Sequence, residues 1–161
     1  MIAIIKYNAG NIRSVQNALS RLGYESIITD DRNEIIKADK VIFPGVGEAG
    51  SAMKYLRERE IDKIIISLTR PVLGICLGLQ LMCSWSEEGQ TPCLGIFDET
   101  VKRFKPEPGR ETTDKVPHMG WNDFVSLSDD PILEGINPAD DVYYVHSYYA
   151  GVNEYTTAVC D

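Results

Sequence analysis

Val72-Leu73-Gly74-Ile75-Cys76-Leu77-Gly78-Leu79-Gln80 reads as a buried strand over 72–75 that runs without a loop into a helix beginning at Leu77. The cysteine sits between two glycines at the junction. Glycines flanking a nucleophile at this spacing make a strand-to-helix elbow, where the tight backbone needs residues without a Cβ. Cys76 would then be exposed at the carboxyl edge of a sheet. The helix N-terminus behind it favours the thiolate and leaves the backbone N–H of Leu77 free to stabilise an oxyanion. The competing reading, an inert core cysteine, is disfavoured by the strand-elbow-helix context.

Working back from the elbow, short apolar runs alternate with helical patterns. Residues 2–5 read as a buried strand, and Asn11 opens a helix whose apolar Ile12, Val15, Leu19 and Leu22 recur every three or four positions until Gly23 stops it. Residues 24–29 form a second strand, 31–38 a short helical turn, and 40–43 a third strand ending in Pro44-Gly45-Val46-Gly47. A further helix begins at Glu48, with Ala49, Met53 and Leu56 on one face, and continues or restarts through 61–68 before Arg70-Pro71 breaks it. Strands separated by helices in this way predict an α/β fold with a doubly wound, mostly parallel sheet of flavodoxin type. Ligands of such sheets bind beyond the carboxyl ends of the strands, where the 44–47 loop and the Cys76 elbow both end. The loop taken alone is a tight βα turn; beside Cys76 it becomes a candidate second oxyanion donor.

From Gly95 the pattern is strand-like with loops: strands over 100–104, 121–127, 142–147 and 155–159, and a charged Pro/Gly-rich loop over 105–117. No repeat or linker interrupts the chain, so residues 1–161 are expected to form one domain. After Lys115 no Lys or Arg occurs, and the chain stops inside or just after a strand pattern with no helix to close the last βα unit. A C-terminal segment is therefore expected to be missing.

Composition bounds the function. The 161 residues are 43% hydrophobic and 25% charged, which suits a folded domain with a continuous core. A net charge of −8 repels phosphate backbones and anionic lipid, which argues against nucleic acid as a partner. No apolar run approaches the roughly 18 residues of a membrane span, and Lys6 arrives too early for a signal peptide, so a soluble, cytoplasmic protein is expected. Cys76, Cys83, Cys93 and Cys160 lack the paired spacing of a zinc site and are too few for a disulfide scaffold. Neither a metal nor a cofactor is expected.

Five motifs, Tyr7-Asn8-Ala9-Gly10-Asn11, Pro44-Gly45-Val46-Gly47, Gly74-Ile75-Cys76-Leu77-Gly78-Leu79-Gln80, Pro117-His118-Met119-Gly120-Trp121-Asn122 and Val145-His146-Ser147-Tyr148, follow one another along the chain. In content and order they resemble the class I glutamine amidotransferases. The Cys-centred motif indicates only the class. The Pro117 to Asn122 hexapeptide points within it to the glutaminase subunits that pass ammonia to a cyclase subunit in histidine biosynthesis. The resemblance implies that Cys76 attacks the glutamine carboxamide to give a thioester and ammonia, with oxyanion N–H groups from Leu77 and from Val46 or Gly47. It implies that Gly47, Gln80, Glu88, Ser147 and Tyr148 hold the glutamine, and that His118, Met119, Trp121 and Asn122 lie at the contact with the cyclase.

One departure stands out. The family's Phe-His-Pro-Glu motif, which carries the partners of the nucleophile, does not occur among these residues. Thiol attack needs a base and a protonated leaving group. His118 and His146 are the sole histidines, and both fall in segments with other family roles, so neither is assigned as that base. The 161 residues alone are expected to lack a complete active site. Two alternatives stay open: another cysteine hydrolase on the same elbow, and an inactive amidotransferase-like binding module.

Overall fold

The computed structural model describes residues 1–7, 11–109 and 115–160. Residues 8–10 of the first family-like motif and 110–114 of the charged loop lie outside it. The chain divides into two compact units, Met1–Val101 and Lys102–Asp161.

The first unit is built on a four-stranded parallel sheet. Its elements are β1 (Ile2–Ile5), α1 (Ile12–Arg21), β2 (Ser26–Thr29), α2 (Arg32–Lys37), β3 (Lys40–Gly45), α3 (Ala49–Glu58), α4 (Ile61–Ser67), β4 (Val72–Cys76) and α5 (Leu77–Met82). The strand order β2-β1-β3-β4 is that of a doubly wound sheet. Alternation along the strands sends Ala3, Ile5, Val41 and Phe43 to one face, where they join Ile35, Met53, Leu56, Ile65 and Leu81 in a buried cluster. Ile4 and Ile42 alternate to the other face, and α1 lies against β1, β2 and β3 without contributing to that cluster. The predicted apolar stripe of α1 is only partly covered: none of its residues is fully buried, and Leu22 just beyond it is exposed. β4 stands at the sheet's edge, with Leu73 and Ile75 exposed.

The helix after the elbow is shorter than its sequence suggests. Leu79-Gln80-Leu81-Met82 continues a helical pattern, yet α5 ends at Met82 and the chain turns directly into β5 (Cys83–Ser86). β5 pairs antiparallel with β6 (Thr91–Pro92) and parallel with β7 (Phe97–Arg103). Tertiary pairing outweighs local propensity here, since the Cys83 and Ser86 side chains are buried in strand geometry.

The second unit holds β8 (His118–Leu127), β9 (Asp141–His146), β10 (Tyr148–Ala150) and β11 (Ala158–Cys160), with β11, β8 and β9 forming an antiparallel sheet. β8 starts three residues earlier than predicted, because His118 pairs directly with His146. Among the described residues no helix is long and apolar enough to cross a membrane.

Candidate active site

The elbow forms as its sequence predicts, with one refinement. Strain sits on the cysteine itself: Cys76 takes φ 52 and ψ −115, whereas neither flanking glycine has a positive φ. The glycines serve packing. A Cβ on Gly78 would drive into the Phe43 carbonyl, 2.7 Å from its carbon, and a Cβ on Gly74 would lie 2.8 Å from the Leu79 backbone and the Met82 sulfur. Both absences let α5 lie flat on β3 and β4, and Cys76 is left exposed at the strand end.

The parallel register pairs Gly45 with Cys76, so the end of β3 lies directly beside that cysteine. From that point the chain runs through exposed Val46 and through Gly47, whose φ of +123 is open to glycine, to α3. The loop's far end is pinned by carboxylates. Glu48 caps α3 by accepting from the N–H groups of Gly50 and Ser51, both at 2.7 Å, and these bonds hold its carboxyl below the usual range. Glu88 reaches in from the other side of the loop and accepts the N–H of Ala49 at 2.9 Å. Burial raises the Glu88 carboxyl, against the pull of that bond.

Within the first unit, the structure thus gathers Cys76, Leu77, Val46, Gly47 and Glu88 around one loop, with Gln80 one helical turn along α5. Ser147 and Tyr148 belong to the second unit. Two participants escaped the sequence reading. Glu48 is the cap of α3, a role that its position just before the helix could have signalled. Tyr7, the last described residue after β1, packs its ring on Phe43 beneath the loop. The other cysteines differ from Cys76: burial pushes the Cys83 and Cys93 thiols up to about 11, and Cys160 accepts from the Tyr144 hydroxyl. Among the described residues no cluster of side chains could hold a metal ion.

In the second unit, strand alternation splits the expected partner-contact set. Met119 and Trp121 project outward, 62% and 70% exposed, and are joined on that face by Val125, Tyr143 and Val145. His118 and Asn122 point the other way and bond each other at 2.9 Å. His146 Nδ1 meets the Tyr148 carbonyl at 2.9 Å, and its ring contacts those of Phe104 and Tyr144. Burial lowers its pKa. Both histidines are held as parts of an aromatic cluster.

An exposed cysteine on a strained strand-to-helix elbow thus stands beside a loop with a glycine at positive φ. The class I glutamine amidotransferase family model matches residues 3–158, and the chain belongs to that family. Among its relatives, the imidazole glycerol phosphate synthase subunit HisH of Bacteroides fragilis (strain YCH46) is 56% identical over 160 residues, which cover 99% of this chain and 80% of the relative. The subunit of the same name from Bacteroides thetaiotaomicron is 52% identical over the same shares, and HisH 2 of Legionella pneumophila (strain Lens) is 42% identical over 99% of this chain and 78% of its own. A crystal structure of a glutamine amidotransferase superposes with a TM-score of 0.71 at 18% identity, covering 96% of this chain and 76% of that one, and so shares the fold.

Proposed function

We propose that the chain is the glutaminase subunit of an imidazole glycerol phosphate synthase, working in the cytoplasm as a heterodimer with the cyclase subunit and with both units as parts of one amidotransferase domain. Cys76 Sγ attacks the carboxamide carbon of glutamine. The oxyanion of the tetrahedral intermediate is held by the N–H of Leu77 and that of Val46 or Gly47. Protonated nitrogen leaves as ammonia, and water then cleaves the thioester to glutamate. Ammonia passes to the cyclase subunit. Gly47, Gln80, Glu88, Ser147 and Tyr148 hold the substrate, the Glu88 carboxylate being suited to the α-ammonium group.

The observation that carries the assignment is the Gly45–Cys76 register, which sets the nucleophile beside the glycine-rich loop at the carboxyl ends of β3 and β4. The outward face of β8 and β9 supports the partner. Met119, Trp121, Val125, Tyr143 and Val145 form an exposed apolar face, and the facing carboxylates of Asp123 and Asp141 border it. A complementary surface would be apolar at its centre and carry a cation for that pair.

A glutamine-like chloroketone tests the chemistry in the presence of the cyclase. The label is expected on Cys76, because burial leaves Cys83 and Cys93 with a roughly hundredfold smaller thiolate population than an ordinary cysteine at neutral pH. Peptide mapping that finds the label mainly on another cysteine overturns the assignment.

A further inference from the structure

Tyr7 is 4% exposed, and its hydroxyl is buried without a hydrogen-bond partner among the described residues. A buried tyrosine normally finds a partner for its O–H. The position of this one is specific. A Cβ on Gly45 would overlap the Tyr7 hydroxyl while lying 2.8 Å from the Gly78 nitrogen and 2.9 Å from the Leu77 Cβ. The hydroxyl therefore stands against the Gly45 Cα, where β3 gives way to the Val46 loop and the first turn of α5 comes closest. Burial raises the phenol's pKa and the nearby Cys76 raises it further, so the group keeps its proton and stays a donor at neutral pH.

Val46 follows one glycine and precedes another, which leaves its peptide free to turn. Because a peptide unit is planar, a turn that aims the Val46 N–H at the oxyanion swings the Gly45 carbonyl to the opposite side. A carbonyl moved out of its place on the strand needs a new donor. We propose that Tyr7 is the positioning residue for this movement: its hydroxyl donates to the Gly45 carbonyl in the turned state and so stabilises the oxyanion-binding form of the loop. The proposal rests on the glutaminase assignment above. It also gives a reason for glycine at 45, since any side chain there would occupy the space between the hydroxyl and the loop.

The test is Tyr7→Phe in a full-length chain that carries the family's Phe-His-Pro-Glu segment, bound to its cyclase partner. Phenylalanine keeps the ring on Phe43 and removes only the unpaired hydroxyl, so the thermal midpoint should be unchanged or raised. Loss of one neutral hydrogen bond made in the transition state lowers kcat for glutamine about tenfold. KM should stay within about twofold, since ground-state binding does not use the turned loop. Alkylation of Cys76 by iodoacetamide, which forms no oxyanion, should keep its rate. An unchanged kcat in Tyr7→Phe refutes the proposal, and so does a fall in alkylation matching the fall in kcat. If the unsubstituted complex releases no ammonia from glutamine, the glutaminase assignment itself fails, and the positioning role fails with it.

Discussion

Replacing Gly78 by alanine tests whether close packing of α5 on β3 holds the Cys76 elbow in place. The new Cβ would stand 2.7 Å from the Phe43 carbonyl carbon and 3.3 Å from that of Pro44, with the Phe43 oxygen nearer still. These are backbone atoms of a central strand and cannot swing aside as a side chain would. Ordinary carbon contacts lie at about 3.5–4.0 Å, so α5 would have to withdraw by about 1 Å, loosening the buried Leu77, Leu81 and Met82. Overpacking against a rigid neighbour costs about 3 kcal/mol, the upper end of its usual range. Alanine recovers up to about 1 kcal/mol through its better helix propensity. A net loss of about 2 kcal/mol lowers the urea midpoint, followed by circular dichroism, by about 1 M. Gly120 on β8 is the control. A Cβ there meets nothing within 4 Å, so Gly120→Ala should leave the midpoint unchanged or raise it. A Gly78→Ala midpoint equal to or above that of the unsubstituted protein would refute the packing argument.

Val46→Pro removes a candidate oxyanion N–H at an exposed position and should lower glutamine turnover in the full-length complex by about 10² to 10³ while Cys76 remains alkylatable; near-normal turnover would leave Gly47 as the donor in this loop. Trp121→Ala should weaken the heterodimer by about 2 kcal/mol without unfolding the chain, because the ring is 70% exposed; calorimetry showing equal affinity, or a variant that unfolds, would remove it from the interface. The 161-residue chain alone is expected to release no sustained ammonia from glutamine, because the family's Phe-His-Pro-Glu motif does not occur among its residues; turnover abolished by His118→Ala or His146→Ala would show that one of them is the base.

The strand and helix pattern of residues 1–76 was legible because each element carries its own period: β1 is apolar throughout, β3 is apolar after Lys40, and α3 repeats its apolar residues at helical spacing. The elbow was legible for the same reason, its glycines and cysteine being adjacent in sequence. What lay beyond local pattern needed the fold. Cys83 to Ser86 becomes a strand because Phe97 to Val101 is there to pair with it. The Pro117 to Asn122 hexapeptide divides into outward Met119 and Trp121 and inward His118 and Asn122 once β8 fixes its alternation.

By itself, then, the sequence determined the class of sheet and the strand-to-helix elbow that presents Cys76, since these depend on neighbouring residues and short periods. Tertiary structure alone decided that Gly45 stands beside Cys76, that Glu88 closes on the N-terminus of α3 from 39 residues away, and that the Tyr7 hydroxyl lies beneath the loop. Each of these is a contact between segments distant in sequence, set by strand register and close backbone packing, and no local propensity encodes which distant partner a residue will meet.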